Sequence, residues 1–339
     1  MSDRRRRLGI TMGDPSGIGA EVSVEAYAEA REIADVLVVG DADVVREAIR
    51  ACDADIEVNA IDGVSEARFE SGSLDVLDLD NVDSATHAWG ELREEYGRAS
   101  LEYVERAIDL ALAGDIDGVV TAPINKQATR LAGSEHAGHT GLLAARTGVT
   151  DYSMMLVEDE LRVTHVSTHV PLREACDLVT TENVLDTIRV TREGLRDLGL
   201  EDPAIAVAGL NPHASDGGLL GDEDLEEIAP AVERARDEGI DAEGPESPDT
   251  VYVQAARGDY DCVVSMYHDE GHIPIKLLGF SEGGEVSGVN MTVGLPIVRT
   301  SVDHGTAFDI AGRGVASPRS MVDAVEVAAT AVRHRRTRE

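Results

Sequence analysis

The segment DCVVSMYH, residues 261–268, is a short apolar run that stops at a histidine in a predicted loop. The segments LRVTHVSTH at 161–169 and AIAVAGLNPH at 204–213 have the same form. In an open α/β sheet, functional groups gather where loops leave the carboxyl ends of the strands. The pattern therefore favours an α/β fold in which His169, His213 and His268 converge on one point.

Three neutral imidazoles, together with a substrate or water oxygen, would form an open catalytic site of the kind that zinc and similar divalent ions occupy. The same pattern is also compatible with three unrelated polar loop residues. A metal site is the functional hypothesis that this region generates.

Strand-like and helical stretches alternate along the whole chain. The strand-like runs are LGITM, ADVLVVG, DGVVTAP, YSMMLV, RVTHVST, AIAVAGL and CVVSMYH. Helices are predicted near residues 20–31, 96–113, 181–198, 223–238 and 319–335. This alternation predicts mostly parallel sheets with helices on both faces, and 339 residues are enough for two domains.

The chain is strongly acidic, with 65 acidic and 30 basic residues and a formal charge of -35. The acidic pieces, such as VEDE at 157–160 and GDEDLEE at 221–227, are spread along the chain, which predicts a charged surface. Such a surface is typical of adaptation to high salt and makes nucleic acid an unexpected partner. The basic ends, Arg4 to Arg7 and RHRRTRE at 333–339, are expected to be solvated tails.

Cysteine content and hydropathy restrict the cellular setting. Cys52, Cys176 and Cys262 are widely spaced and form no CxxC pair, so neither a disulfide framework nor a thiolate metal cluster is expected. No run approaches the ~18 apolar residues that span a bilayer, so no membrane association is expected. These features predict a cytoplasmic protein.

Lysine is almost absent, and only Lys126 in TAPINK and Lys276 in HDEGHIPIK remain among 30 basic residues. A compact ammonium differs from a guanidinium in hydration, reach and ability to change protonation state, so these positions are functional candidates. Chance retention is the alternative. GDPSGIGAE at 13–21 lacks both the G-x-G-x-x-G and the P-loop pattern, which leaves a tight strand-to-helix turn or an anion contact.

Motifs along nearly the whole chain resemble those of the 4-hydroxythreonine-4-phosphate dehydrogenase family, which includes relatives acting on D-threonate or D-erythronate 4-phosphate. The motifs are GDPSGIGAE, TAPINK, GHT at 138–140, STHVPLR, GLNPHASDGGLLGDED, GPESPDT, MYHDEGHIPIK and VNMTVGLPIVRTSVDHGTAFDIAG. The resemblance implies that His169, His213 and His268 bind one divalent metal, with Zn²⁺ expected and Mg²⁺, Mn²⁺ or Co²⁺ as alternatives. It also implies a homodimer in which His268 completes the partner's site. The implied substrate contacts are His139, Thr140, Lys276, Asn290 and Arg299.

The stretch HGTAFDIAGRGVASP, residues 304–318, resembles the nucleotide-binding loop of isopropylmalate and isocitrate dehydrogenases. This likeness implies NAD or NADP bound at His304, Gly305, Thr306, Ala307, Asp309 and Gly312. A glycine-rich connection is the alternative. The likeness to these dehydrogenases further implies a two-domain fold. The active site would lie in the cleft between an outer domain (1–125 with 290–339) and a central domain (126–289).

The implied chemistry is metal-assisted oxidation of a hydroxy acid by the nicotinamide cofactor, followed by loss of carbon dioxide. Asp249 and Lys126 are the candidate bases, and a turn or helix-cap role is the alternative for Asp249. Two departures from the family pattern leave the substrate open. Gly141 stands where family members commonly carry Glu, and FSEGGEVSGVN at 280–290 is longer than expected.

Three functions follow from these observations. The first is oxidation of 4-hydroxy-L-threonine 4-phosphate with subsequent decarboxylation. The second is the same chemistry on D-threonate or D-erythronate 4-phosphate, which yields dihydroxyacetone phosphate. The third is a non-catalytic relative that binds a phosphorylated ligand without turnover.

The charge of -35 predicts a salt-dependent stability. Because the Debye length falls from ~30 Å at 0.01 M to ~3 Å at 1 M salt, self-repulsion among surface carboxylates should weaken as salt is added. The melting temperature should therefore rise between these two salt concentrations. An unchanged melting temperature would show that the acidic residues do not limit stability.

Overall fold

The computed structural model describes residues 5–134, 138–279 and 288–338, and these form two compact units. Unit 1 comprises Met1–Gly148 and Leu295–Arg333, and unit 2 comprises Val149–Gly294 and His334–Glu339. This division differs from the sequence-based one in its boundaries. Residues 126–148, which were expected in the central domain, belong to unit 1.

In unit 1 the described strands pair in the order β3-β4-β2-β1-β5-β12, and all of these pairings are parallel. Numbered along the chain, the strands are β1 (Arg7–Thr11), β2 (Asp35–Gly40), β3 (Glu57–Ile61), β4 (Ser73–Asp78), β5 (Gly118–Thr121) and β12 (Val298–Val302). The helices are α1 (Gly19–Ile33), α2 (Ala42–Ala51), α3 (Glu94–Ala113), α4 (Lys126–Leu131), α5 (His139–Thr147) and most of α11 (Arg319–Arg338).

In unit 2 the described strands pair in the order β11-β6-β7-β10-β8-β9. They are β6 (Ser153–Glu158), β7 (Leu161–His165), β8 (Ile205–Ala208), β9 (Ala242–Glu246), β10 (Cys262–Ser265) and β11 (Val289–Val293). The helices are α6 (Leu172–Leu178), α7 (Thr181–Asp197), α8 (Ala229–Asp237), α9 (Val251–Ala255) and α10 (His268–Gly279), and a π-helical turn at Asp224–Ile228 precedes α8. The β11–β6 and β6–β7 pairings are antiparallel, and the others are parallel.

The predicted α/β class with mostly parallel sheets is confirmed, as are all seven predicted strands and the five predicted helices. The strands are recognisable because they are buried on both faces: every residue of β2 except the first is buried. Local signals fix the helix ends. Asp41 begins α2 by accepting hydrogen bonds from the Asp43 and Val44 amides at 3.0 and 3.2 Å, and Gly114 ends α3 in the left-handed region.

One expectation drawn from charge is wrong, and the expected charged surface stays a prediction. The acidic pieces VEDE and GDEDLEE each contain a buried residue, because Glu158 is 5% exposed and Asp224 is fully buried. The basic C-terminus is not a solvated tail, because it continues α11 and its arginines Arg335 and Arg338 bind the buried carboxylate of Asp197. A count of charges does not reveal which of them have buried partners.

The three cysteines are free thiols. Among the described residues, none of the helices combines the length and the apolar character that a membrane crossing requires.

Candidate active site

The three histidine loops leave the same edge of the unit 2 sheet. Strands β7, β10 and β8 are parallel neighbours, with Ser265 paired to His165 and Val264 paired to Val207. His169 and His213 lie in the segments that follow β7 and β8, and His268, the first residue of α10, comes shortly after β10. The sheet order thus gives the three loops a common edge, although they are far apart in sequence.

His169 and His268 are neighbours at this edge, with ring centroids 5.5 Å apart. They line a cavity of about 280 Å³ whose other walls are formed by residues of the β7–α6 loop, helix α6 and the start of α10. Those other lining residues are Thr168, Val170, Leu172, Ala175, Tyr267 and Asp269.

The chemistry of this pair fits a zinc-type ion, because imidazole nitrogens are common ligands of such ions. Within the described part of one chain, however, no group of three or more His, Cys, Asp or Glu side chains is placed to hold a metal ion. His213 is exposed on its own loop. One chain therefore supplies two adjacent imidazoles and a third predicted ligand that is not assembled with them.

A buried carboxylate organises the loop of His213. Asp224, fully buried, accepts hydrogen bonds from the backbone N–H groups of Leu210 and Asn211 at 2.7 and 3.2 Å. It also accepts hydrogen bonds from the Asn211 side-chain amide at 2.9 Å and from the Ser215 hydroxyl. These bonds close the loop on both sides of His213.

The same loop has an unusual backbone. Residues 213–217 all have positive φ, from 46° to 69°, and only the last of them is glycine. A non-glycine residue in this left-handed region is disfavoured, so surrounding contacts must stabilise the run. The hydrogen bonds to Asp224 are such contacts, and they define where the His213 backbone lies.

Sequence reasoning did not single out two further histidines beside His268. The ring of His272 stacks on that of His268, with centroids 3.6 Å apart and planes 11° apart, and its Nδ1 lies 2.9 Å from the His268 carbonyl oxygen. His165 is packed 4.8 Å from His272, and burial lowers the pKa of His165 to about 3, with a smaller contribution from His272. The four-residue spacing in HDEGH, one helical turn, was the available signal.

In unit 1, three predicted functional side chains lie together. Arg299 on β12 is 2% exposed and donates to the Thr121 hydroxyl on β5 at 2.6 Å. Burial lowers the pKa of Arg299 to about 9, so the guanidinium is still charged at neutral pH. Burial, together with the positive charges of Arg299 and Lys126, holds the pKa of His139 well below its usual range. His139 is therefore a neutral imidazole beside two cations.

The GDPSG turn supports the TAPINK segment that carries Lys126. The Asp14 backbone N–H donates to the Pro123 carbonyl at 2.9 Å, and its carboxylate accepts from the Ser16 backbone N–H at 2.9 Å. Burial raises the pKa of Asp14 to about 6. Gly13 has φ +76°, and a Cβ there would lie 2.4 Å from the Pro123 oxygen, so only glycine permits this approach.

The candidate nucleotide-binding loop lies against the same turn in unit 1. The Ile18 backbone N–H donates to the Thr306 carbonyl at 3.1 Å. Nε2 of His304 is buried without a hydrogen-bond partner in the described part of the chain, and a Cβ at Gly305 would meet no atom within 4 Å. A buried polar nitrogen beside an open backbone position fits a bound polar ligand such as a nucleotide.

The remaining predicted residues lie on several different elements. Asp249 is exposed and accepts a hydrogen bond from the Ser247 hydroxyl at 2.8 Å, the geometry of a turn. Lys276 lies on α10, and Asn290 lies on β11 opposite Leu156. Thr140 is in the first turn of α5. Residues 280–287 of the long FSEGGEVSGVN segment lie outside the described residues.

Comparison with known proteins places this chain in a family. Residues 32–328 match the family described as pyridoxal phosphate biosynthetic protein PdxA. The chain belongs to the PdxA family. It is 45% identical to a 4-hydroxythreonine-4-phosphate dehydrogenase of Desulforapulum autotrophicum, over 97% of this chain and 96% of that protein.

Two other PdxA-type proteins are similarly related. A D-threonate 4-phosphate dehydrogenase of Salmonella typhimurium is 45% identical over 95% of this chain and 98% of its own. The crystal structure of a 4-hydroxythreonine-4-phosphate dehydrogenase from Klebsiella pneumoniae superposes with a TM-score of 0.87, at 42% identity and with 98% and 99% coverage. The identities of these relatives do not separate the two substrates.

Replacing Asp224 should destabilise the loop of His213. In Asp224→Ala, the amides of Leu210 and Asn211 lose their acceptor, so the free energy of unfolding should fall by about 2–4 kcal/mol. Asp222→Ala is the matched control, because Asp222 is exposed two residues away. Denaturant unfolding measures both variants. Equal free energies of unfolding for Asp224→Ala and Asp222→Ala would contradict the organising role of Asp224.

Proposed function

We propose that this protein is an NAD-dependent, divalent-metal-dependent dehydrogenase that oxidises 4-hydroxy-L-threonine 4-phosphate, after which the product loses carbon dioxide. Family membership supports the reaction class, since the named PdxA relatives are dehydrogenases of 4-phosphorylated substrates. The observation that carries the proposal is that the segments of His169, His213 and His268 all follow the carboxyl ends of neighbouring parallel strands, β7, β8 and β10, at one edge of the unit 2 sheet.

The same chemistry on D-threonate or D-erythronate 4-phosphate is the second candidate. It is favoured by Gly141, which follows His139 and Thr140 in α5 and stands where the family commonly has Glu. Without that carboxylate, this helix offers no anionic partner to the substrate amino group at that position. A hydroxy-acid phosphate has no such group to bind.

His169, His213 and His268 would hold the metal, with Zn²⁺ as the proposed ion. A bound divalent ion supplies Lewis acidity, which lowers the pKa of a substrate hydroxyl and stabilises negative charge on oxygen. The buried neutral state of His165 matters here, because an imidazolium close to the site would repel a cation. Stacking against His272 restricts the ring of His268.

The unit 1 groups have complementary roles in the proposal. Arg299, buried and charged, is suited to forked hydrogen bonds with a substrate oxyanion. His139, neutral and with a buried Nε2, can exchange a hydrogen bond with a substrate hydroxyl. Lys126, which lies beside His139, would act as a base only after losing its proton, whereas Asp249 has the exposure and hydrogen bonding of a turn residue.

NAD would bind at the loop that contains the predicted contacts His304, Gly305, Thr306, Ala307, Asp309 and Gly312. Its nicotinamide accepts a hydride when bound. The buried Nε2 of His304 can form a hydrogen bond to the nucleotide, and the open position at Gly305 leaves room for it.

A homodimer is part of the proposal. Helix α10 begins at His268 and carries Lys276. Ile273 and Leu277, four residues apart on this helix, are 66% and 68% exposed. Two exposed apolar side chains one helical turn apart are typical of a helix that packs against a partner. A second copy of the chain is the proposed partner, with His268 directed to its metal site.

Mixing of subunits tests the metal site and the dimer together. His169→Ala and His268→Ala should each lower zinc affinity and reduce turnover by about a hundredfold or more. If His268 acts in the partner's site, a mixed dimer of the two variants contains one intact site. A random one-to-one mixture should then recover up to about a quarter of wild-type activity.

The opposite result is equally informative, because the rings of His169 and His268 are already 5.5 Å apart within one chain. Zero recovery after verified subunit exchange would place both ligands in the same chain's site. Variants that retain zinc and turnover would remove these histidines from the metal site.

Phosphate recognition is proposed for Lys276. A phosphate forms strong charge-assisted hydrogen bonds, so Lys276→Ala should weaken binding of the phosphorylated substrate by about 2–4 kcal/mol. Binding of the dephosphorylated analogue should be weakened far less, so the variant should discriminate less between the phosphorylated and dephosphorylated substrates than the wild type does. Lys276→Arg is the matched control that keeps the charge. Equal losses on both substrates would assign Lys276 to the chemical step instead.

A further inference from the structure

We infer that Glu21 is a positioning residue for the nicotinamide cofactor, because it fixes the end of the candidate nucleotide-binding loop. The inference rests on the proposed function, and it adds a residue outside that loop. Glu21 is in the first turn of α1, at the end of the GDPSGIGAE motif. Its partners lie almost 300 residues further along the chain.

Glu21 is buried, with 1% of its surface exposed, and both carboxylate oxygens are used. One oxygen accepts a hydrogen bond from the Gly312 backbone N–H at 2.9 Å, and the other accepts from the Gly314 backbone N–H at 2.5 Å. Charge-assisted bonds of this kind are stronger than those between neutral groups. Two of them from one carboxylate fix both the position and the orientation of this backbone.

The start of the loop is attached to the same helix. The Ile18 backbone N–H donates to the Thr306 carbonyl at 3.1 Å, one turn before Glu21. Residues 307–311 therefore lie between two hydrogen-bonded positions, Thr306 and Gly312, which are both bound to the start of α1. They include Ala307 and Asp309, two of the predicted cofactor contacts.

The far side of the loop end leaves no room for adjustment. Gly314 has φ +62°, and a Cβ there would lie 2.3 Å from the Ala51 carbonyl oxygen. The backbone at this point therefore packs directly between Glu21 and the end of α2. If the carboxylate were weakened as an acceptor, the loop end would lose its main polar attachment in a place where side chains cannot replace it.

Glutamine is the informative replacement, because it keeps the volume of the side chain and removes one acceptor. Its carbonyl oxygen can accept from Gly312 or from Gly314, and its NH₂ group then faces the other N–H. One buried amide loses its partner, so loop order should decrease. Glu21 has only 1% of its surface exposed and both carboxylate oxygens are already used, so the effect on the cofactor is expected to pass through the loop.

The test is NADH binding by the purified full chain, followed by the fluorescence of the bound cofactor. Glu21→Gln should raise the Kd for NADH, and the KM for NAD, by about tenfold. The KM for the phosphorylated substrate and the zinc affinity should stay at wild-type values. Glu29→Gln is the matched control, because Glu29 is exposed on the same helix. Hydrogen exchange in a peptide covering 304–316 should accelerate in Glu21→Gln only.

Each result has a defined meaning. Wild-type NADH affinity and unchanged exchange in Glu21→Gln would overturn the role of Glu21 while leaving the proposed function intact. Wild-type protein that binds no NADH would overturn both. If Glu21→Gln does not fold, Gly314→Ala displaces the same loop end from the opposite side. Normal NADH affinity in that variant would equally contradict the inference.

Discussion

The candidate functional segments of unit 1 depend on one buried stretch, residues 13–21, whose hydrogen bonds connect it to two distant segments. Asp14 bonds to the segment that carries Lys126, Ile18 to the start of the loop at 304–314, and Glu21 to its end. Two of these contacts join backbone groups and two involve the Glu21 carboxylate, and the contacts at Gly13 and Gly314 require the absence of a side chain. The motif is therefore a scaffold for candidate functional segments.

Unit 2 also contains a buried carboxylate that holds a loop through hydrogen bonds to its backbone. Asp224 is fully buried and holds a loop with consecutive left-handed residues, and that loop carries His213. In both units a buried acid accepts hydrogen bonds from backbone N–H groups of a loop. In unit 1 that loop is the proposed cofactor-binding loop, and in unit 2 it carries His213, a proposed metal ligand. A buried carboxylate is costly unless its oxygens are hydrogen-bonded, and here they are.

The sequence predicted the parts of the structure that depend on local patterns. Strands β7, β8 and β10 and the histidines after them followed from apolar runs that end in loops. The edge strand β9 was missed because AEGPE contains glycine and proline and few apolar residues. The antiparallel β6–β7 pair was also missed, because a short connection between two apolar runs does not stand out in an alternating βα chain.

The candidate site was only partly predictable, because its supporting residues are defined by three-dimensional partners. Glu21 and Asp224 look like two of 65 surface acids until their burial is known. His165 and His272 lie within quoted motifs, yet only the packing of α10 on β7 and β10 shows that they surround His268. Family resemblance supplied proposed residue roles that no spacing could supply, including those of His139 and Arg299.

The central claim is that these two organised units perform oxidation of a 4-phosphorylated hydroxy acid. The most direct measurement is NADH formation by the zinc-loaded wild-type protein, at high salt, with 4-hydroxy-L-threonine 4-phosphate, D-threonate 4-phosphate, D-erythronate 4-phosphate and their dephosphorylated forms. The account predicts sustained NADH production with at least one phosphorylated acid and much slower production with its dephosphorylated form. Binding of these acids without NADH formation from any of them would contradict it and favour a non-catalytic phosphate-binding protein.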